Sequence, residues 1–215
     1  MAEAGLIRVA LPYPASLAVP ALGLCALGLM WPSAIGPSAI GPNAIGPNAI
    51  EPAAAVPDTM GPWLAAAAVL AGLAAWTLLE YVLHRVLMHH VEPFRTWHLA
   101  HHRNPAEPIR VPLVFSLVLV VAVIGLPLAA LTLLGVDGGL ALVFSAGLLL
   151  GDVLQQTVHQ RLHPQPVSGP GLARLHLARL RVHHGYHHFV DEERAFGTLT
   201  AFWDRCLGTA PPRRR

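Results

Sequence analysis

The sequence predicts an all-α integral membrane protein with about four transmembrane helices in two hairpins and a cytoplasmic helical cap. Of its 215 residues, 54% are hydrophobic and 12% are charged, whereas soluble domains carry about 25% charged residues. Several apolar runs approach the roughly 20 residues that a helix needs to cross a bilayer. All 13 histidines lie within residues 84–188, clustered where apolar runs end. We therefore expect the cap to carry the histidines.

Residues 1–60 are predicted to contain an N-terminal span and a linker. The apolar run at 15–31 follows Arg8 and is interrupted by Pro20, so it fits either a membrane helix or a cleaved secretory signal. Residues 33–52 repeat a five-residue unit that ends in proline, S-A-I-G-P twice and then N-A-I-G-P and N-A-I-E-P. Because proline at every fifth position removes helix hydrogen bonds, we interpret this repeat as an irregular external linker.

A membrane domain is predicted over residues 61–210, followed by a basic tail at 211–215. Its three apolar runs, at 61–83, 111–134 and 140–158, are each near or above the length of a span. Together with the N-terminal run they make up the two predicted hairpins.

The arginines predict the orientation, because positive charge collects at the cytoplasmic ends of spans. The chain contains no lysine, and no arginine lies between Arg8 and Arg85 or between Arg110 and Arg161. The turns of both hairpins fall in these stretches and are predicted to lie outside. Residues 84–110 and the C-terminal third are predicted to be cytoplasmic, which places every histidine cluster on that face.

The histidines form four short clusters with spacings typical of metal ligands. The clusters are His84, His89 and His90; His98, His101 and His102; His159 and His163; and His183, His184, His187 and His188, with His176 alone between the last two. Residues three or four apart share a helix face, and neutral imidazole binds iron, zinc and copper. About ten imidazoles exceed what one ion binds, so two metals are predicted. With no carboxylate inside the clusters, the ions would stay strongly cationic, which favours a redox centre.

The pair His84 and His89 departs from this spacing. Residues five apart lie roughly 140° around an ideal α-helix. The pair therefore predicts ligands for two different metals, or a helix that ends between them. A helix that runs through the C-terminal cluster would align His184, His187 and His188.

Several motifs within residues 76–209 extend beyond the histidines. They are E-Y-V-L-H-R from Glu80 to Arg85, H-x-x-H-H starting at His98 and again at His184, G-D-V-L-Q-Q-T-V-H-Q-R-L-H at 151–163, and F-G-T-L-T-A-F-W-D-R-C-L-G-T at 196–209. With these motifs the chain resembles the membrane fatty acid hydroxylase and sterol desaturase superfamily, and it is most similar to the fatty acid 2-hydroxylase branch.

The resemblance implies that residues 61–210 form the catalytic domain of a non-haem di-iron lipid hydroxylase, a monooxygenase. It would use O2 and two electrons to hydroxylate a lipid acyl chain at C2 of a fatty acid or fatty acyl lipid. Two iron ions are the implied cofactors, and zinc can replace them in a purified sample. The implied ligands are His84, His89, His98, His101, His102, His159, His163, His184, His187 and His188. We expect no catalytic residue outside this centre, and His90, His176 and His183 lie outside the pattern.

The expected partners are the membrane, a lipid substrate and an electron donor. Because no histidine precedes His84, residues 1–83 cannot supply a bis-histidine haem site, so an external ferredoxin or b-type cytochrome is expected to deliver electrons. The basic residues follow the membrane topology, so we expect no nucleic-acid binding. The lysine-free composition, rich in alanine and arginine, favours a bacterial inner membrane, with the metal site on the cytoplasmic face.

Other functions use similar features. A sterol desaturase or a carotenoid hydroxylase of the same superfamily is the alternative within the enzyme class. A membrane metal transporter or sensor is the alternative from another class, but a transporter needs polar ligands at mid-membrane depth, and the apolar runs contain almost none.

Four carboxylates near the histidines in sequence are candidates for holding the ligand rings, because metal-binding histidines commonly donate their second ring N–H to a carboxylate. They are Glu80, Asp152, Asp191 and Asp204. Their alternative roles are helix capping and pairing with arginine. The leucine- and arginine-rich segment 172–181 fits a helix on an anionic membrane surface or one packed within the cap.

Overall fold

The computed structural model describes residues 60–107, 112–163 and 171–212, and it contains α-helices and no β-strand among those residues. The helices are α1 Pro62–Val82, α2 Phe94–Arg103, α3 Leu113–Val120, α4 Leu126–Leu133, α5 Gly138–Leu162, α6 Gly171–Phe189 and α7 Phe202–Cys206. Two π-helical segments, Leu83–Met88 and Val121–Gly125, extend α1 and join α3 to α4. The predicted all-α class is confirmed.

Three helical stretches of the described residues are long and apolar enough to cross a membrane, namely Pro62–Met88, Val114–Leu133 and Gly138–Leu162. They coincide with the three apolar runs of the predicted membrane domain, and the chain is an integral membrane protein. The predicted span at 15–31 and the repeat at 33–52 lie outside the described residues, so a fourth helix stays a prediction.

The first and third spans pack closely because glycines remove side chains from their interface. A Cβ at Gly72 would overlap the carbonyl oxygen of Phe144 and lie 3.0 Å from the Cα of Gly147. Four residues further along both helices, a Cβ at Gly151 would overlap the Trp76 side chain. Small residues permit such backbone contact between membrane helices. Gly72 meets Gly147, and four residues later Trp76 meets Gly151, so the contacts advance in the same direction along both helices. The helices α1 and α5 therefore run parallel.

The parallel arrangement decides where the histidines meet. Eight residues beyond Trp76 and Gly151, the two helices reach His84 and His159. Both side chains are buried. The C-terminal ends of these spans therefore bring two histidine clusters to the same end of the bundle.

The second span lies against this pair through its π-helical segment. Val123 and Ile124 form a buried cluster with Trp76, Leu148 and Leu149. Elsewhere the second span exposes large apolar side chains, including 62% of Leu126, which in a bilayer face lipid. The following turn ends at Asp137, whose carboxylate accepts a hydrogen bond from the Leu140 amide and caps α5.

The C-terminal segment returns along α1. The indole N–H of Trp203 donates to Thr77 Oγ1 at 2.9 Å, and Tyr81 Oη lies 3.0 Å from Thr209 Oγ1. Leu199 packs against the buried cluster around Trp76. The segment that follows α6 is therefore fixed to α1 within two turns of His84.

Candidate metal centre

The structure gathers ten histidines into two groups of five that could each hold a metal ion. Within each group, one nitrogen from every ring lies within 4.8 Å of the others. The first group is His84, His89, His98, His102 and His187, and the second group is His101, His159, His163, His184 and His188. These are the ten positions proposed from the sequence, and the structure adds their division into two sets.

The π-helical segment explains why His84 and His89 belong to one group. A π-helix has its hydrogen bonds between residues five apart, so residues with that spacing come to the same side. The segment Leu83–Met88 lies between the two histidines, and helical structure continues through residue 90. The structure therefore differs from both sequence expectations, since the pair is not split between the two groups and the helix does not end between them.

Two helices contribute to both groups. On α2, His98 and His102 enter the first group and His101 enters the second. The C-terminal cluster lies on α6, which is one continuous helix, and it divides in the same way, with His187 in the first group and the pair His184 and His188 in the second. The end of α1 serves only the first group and the end of α5 only the second, so the site forms only when the four elements meet.

The spacing of the ring nitrogens fits metal coordination. Metal–imidazole bonds are about 2.1 Å long, so two ligand nitrogens at right angles around one ion lie about 3.0 Å apart. In the first group, His98 Nε2 lies 3.0 Å from the Nε2 atoms of His84 and His102. Hydrogen bonding among neutral rings does not account for such contacts, because one imidazole nitrogen either donates one hydrogen bond or accepts one.

The second group shows the same convergence around His163. Its Nε2 lies 3.0 Å from that of His101 and 3.2 Å from those of His159 and His184. The Nε2 of His188 is buried and has no hydrogen-bond partner in the part of the chain that the structure describes. An ion bound by this group would satisfy all five nitrogens.

Some of the ten histidines lie outside the spans. Burial keeps their rings in the neutral form, which is the form that binds metals. Loss of solvation lowers the pKa of His89 and that of His101 to about 4. The same cause lowers the pKa of His163 to about 4 and that of His102 to about 3. These rings are therefore neutral at pH 7 before any ion binds.

The expectation that carboxylates hold the ligand rings is not what the structure shows. Asp152 accepts a hydrogen bond from Gln156, and Asp191 pairs with Arg194 at 3.2 Å. Glu80 accepts hydrogen bonds from the amide and hydroxyl of Thr198, and Asp204 accepts from main-chain amides and from Thr209. None of these four contacts one of the ten histidines among the described residues.

Main-chain carbonyls take that role instead. His84 Nδ1 donates to the Phe196 carbonyl at 2.5 Å, and His187 Nδ1 donates to the Arg194 carbonyl at 2.8 Å. Because a carbonyl only accepts, each bond places the ring proton on Nδ1 and leaves the Nε2 lone pair toward the first group. Sequence reasoning missed these groups, since a main-chain carbonyl carries no residue signature, although Phe196 begins a motif of the resemblance.

The three histidines outside the predicted pattern also lie outside both groups. His183 Nε2 contacts the Asp204 carboxylate at 2.9 Å, while His176 contacts the Leu199 carbonyl at 3.3 Å. His90 is exposed. Burial alone would raise the pKa of Asp204. Hydrogen bonds from His183, Gly197 and Thr209 outweigh this effect and hold the pKa below its usual value.

Arg181 connects α6 to the end of α5. Its guanidinium donates to the carbonyls of Arg161, Leu162 and His163 at 3.0, 3.2 and 2.5 Å. Carbonyls at a helix C-terminus lack intrahelical partners and carry partial negative charge. The contact therefore stabilises the end of α5 and fixes α6 beside His163.

We expect Arg181→Met to lower the free energy of unfolding by about 2 kcal/mol, because charged hydrogen bonds contribute roughly 1.5–3 kcal/mol. Thermal unfolding of the detergent-purified protein measures the change. Arg179→Met is the control, since Arg179 is an exposed arginine on the same helix. Equal melting temperatures for the two variants would contradict the capping role.

Fold and site together define a class: an all-helical membrane protein whose helix ends carry a double histidine site that could bind metal. The chain belongs to the fatty acid hydroxylase family, whose family model matches residues 69–209.

Named relatives agree with this assignment. The chain is 34% identical over 153 residues to fatty acid 2-hydroxylase of Macaca fascicularis, covering 66% of this chain and 39% of that protein. It is 31% identical over 151 residues to dihydroceramide fatty acyl 2-hydroxylase FAH2 of Arabidopsis thaliana, covering 66% of this chain and 60% of the relative. The chain therefore spans well under half the length of the first relative.

A solved structure has the same fold. It is described as full-length scs7p with only the hydroxylase domain visible, and it matches with a TM-score of 0.60 at 28% sequence identity. The match covers 73% of this chain and 60% of that one.

Proposed function

We propose that this protein is an O2-dependent di-iron monooxygenase of the membrane that hydroxylates a lipid acyl chain at C2 of a fatty acid or fatty acyl lipid. The observation that carries the proposal is the division of ten imidazoles into two groups of five with ligand-like spacing. The names of the relatives, which include fatty acid 2-hydroxylases and a dihydroceramide fatty acyl 2-hydroxylase, support the substrate class.

The ten histidines would hold the two ions, one in each group. Iron is proposed because five neutral ligands leave a coordination position free and leave the ion strongly cationic, which suits a redox reaction. Iron held by these residues would supply the O2 chemistry. In the balanced reaction, one oxygen atom of O2 enters a C–H bond of the acyl chain, and the other leaves as water after taking up two electrons from the donor and two protons from solvent.

The chain's own contribution is to orient rings and exclude water. His84 and His187 keep their Nε2 lone pairs toward the first group because their Nδ1 protons are bound to main-chain carbonyls. Both rings are buried, as is Phe196 against them. A dry pocket protects a reactive centre from side reactions.

The depth of the site supports hydroxylation near the lipid headgroup. His84 and His159 lie near the C-terminal ends of two spans, about at the level where hydrocarbon meets headgroups. A lipid could therefore keep its polar end at the cap while its chain stays in the bilayer, and C2 is the first chain carbon beyond the carbonyl. We propose the cytoplasmic face of a bacterial inner membrane for this end, and an external ferredoxin or b-type cytochrome as electron donor.

A single-turnover experiment tests the proposal without a redox partner. Purified iron-loaded protein in liposomes containing fatty acyl lipids is reduced chemically and then mixed with ¹⁸O2. We expect up to one 2-hydroxy acyl product per chain, with the label in the hydroxyl group, measured by mass spectrometry. His101→Ala protein is the control and should give no product.

Other outcomes contradict the proposal. If O2 oxidises the iron of a fully loaded protein but no labelled lipid forms, acyl hydroxylation is excluded. A sterol or a carotenoid can also be added to the liposomes. Formation of a desaturated sterol or a hydroxylated carotenoid in place of the 2-hydroxy acyl product would indicate the related enzyme activities. Retention of fewer than two ions per chain would exclude the dinuclear centre.

A further inference from the structure

The loop that orients two ligand rings is itself held by two buried carboxylates. We call residues 194–198 the clamp loop. Asp204 accepts hydrogen bonds from the amides of Phe196 and Gly197, both at 2.9 Å. Glu80 accepts from the amide and hydroxyl of Thr198 at 2.6 and 2.5 Å. Three successive amides are thus bound to carboxylate oxygens.

The backbone of the clamp loop is shaped for these bonds. A Cβ at Gly197 would overlap the Thr200 carbonyl oxygen and lie 3.0 Å from Asp204 Oδ2. Irregular backbone at membrane depth is tolerated only where protein groups satisfy it. A carboxylate inside an apolar span is costly and marks a functional position, and Glu80 is 4% exposed in the first span.

Helix geometry connects Glu80 directly to the site. Glu80 lies on α1, four residues before His84 in the π-helical segment that extends this helix, and both side chains face the clamp loop. His84 donates to the carbonyl of Phe196, and Glu80 binds the amide of Thr198 two residues later. One helix face therefore presents both a ligand and the anchor of the loop that orients this ligand.

The clamp loop acts on one group only. Its two carbonyl contacts go to His84 and His187, which both belong to the first group. Among the described residues, buried Nδ1 atoms without a hydrogen-bond partner occur in both groups, at His98 in the first and at His184 and His188 in the second, whereas the carbonyl contacts of the clamp loop are confined to the first group. The two metal positions consequently differ in how their ligands are supported.

We propose that Glu80 and Asp204 are positioning residues for the first metal position and not for the second. By fixing the clamp loop, they hold the tautomer and direction of His84 and His187. This inference rests on the proposed two-metal centre. Removing a group that supports a ligand typically costs roughly 10–100-fold in metal affinity, so weakening the clamp should release one ion per chain and leave the other.

The test uses the full chain, loaded with ferrous iron in nanodiscs and challenged with a ferrous chelator. We expect Glu80→Leu to release one ion at least about 10-fold faster than the wild type and to retain the second at the wild-type rate. Glu80→Gln keeps an oxygen acceptor for Thr198 and should restore slow release. Asp152→Leu is the matched control, since Asp152 is a carboxylate in another span whose partner is Gln156.

Combined variants assign the labile ion to a group. In a His163→Ala background, which removes a second-group ligand, Glu80→Leu should leave no slowly released iron. In a His89→Ala background, which removes a first-group ligand, Glu80→Leu should leave the slow ion unchanged. Should Glu80→Leu fail to fold, Thr198→Val weakens the same contact and Thr157→Val, on α5, is its control.

The outcomes separate this inference from the proposed function. A wild-type protein that binds fewer than two ions contradicts the two-metal centre. A wild-type protein with two ions, whose Glu80→Leu variant releases both equally, contradicts the clamp inference and leaves the two-metal centre intact. Failure of Glu80→Gln to restore retention also contradicts a purely positional role.

Discussion

Replacing His187 with alanine is expected to abolish acyl hydroxylation while the protein still inserts into the membrane. His187 is fully buried, and its Nε2 lies 3.1 Å from that of His89. Its removal leaves the first group with four ligands and a cavity where the ring was. We expect iron to fall from two ions to one per chain by elemental analysis, with no product detectable in the single-turnover experiment.

His101→Ala makes the corresponding change in the second group, because His101 Nε2 lies 3.0 Å from His163 Nε2. His90→Ala is the control for both variants. His90 directly follows a first-group histidine in sequence, yet it is exposed and outside both groups. Equal loss of iron from His90→Ala and His187→Ala would show that the two groups do not define the metal sites.

Gly147→Val is expected to prevent correct packing of the first and third spans. A Cβ at Gly147 would overlap the carbonyl oxygen of Val69 and lie 3.1 Å from the Cα of Gly72. Both neighbours are backbone atoms, which cannot move aside as a flexible side chain would. The cost should reach or exceed the upper end of the about 1–3 kcal/mol typical of overpacking.

Separation of α1 and α5 would also separate His84 from His159, so iron binding should be lost together with stability. Size-exclusion chromatography and thermal unfolding in detergent measure the packing, and elemental analysis measures the iron. Gly125→Val is the matched control in the second span, where a Cβ would meet only Val121 Cγ1, at 3.8 Å. Normal melting and full iron content in Gly147→Val would refute the close helix contact.

Much of the candidate site could be predicted from the sequence because it is built from histidines, whose side chains have a distinctive chemistry. Histidines three and four residues apart lie at the ends of apolar runs. If these runs are membrane helices with the directions that the arginines predict, the histidine rings are expected to lie close together at one end of the bundle. The three described spans and the ten gathered histidines follow from these local patterns. The spacing of His84 and His89 was the exception, since an α-helical rule was applied to a π-helical segment.

The carboxylates show where such patterns stop being informative. Glu80, Asp152, Asp191 and Asp204 are near the histidines in sequence, and proximity alone suggested direct contact with the rings. The structure instead places Glu80 and Asp204 on the amides of the clamp loop. The bond from Glu80 to Thr198 joins residues 118 positions apart, and spacing along the chain carries no information about such a contact.

The sequence by itself determined that this is an apolar helical protein with histidines at ligand-like spacings, because composition and periodicity are properties of single segments. Only the tertiary structure decided how the ten rings divide. That division depends on the parallel contact of α1 with α5 and on the loop that returns to α1 from α6. Packing between distant segments sets the direction of each histidine ring. These directions decide which ring nitrogens lie together in each group.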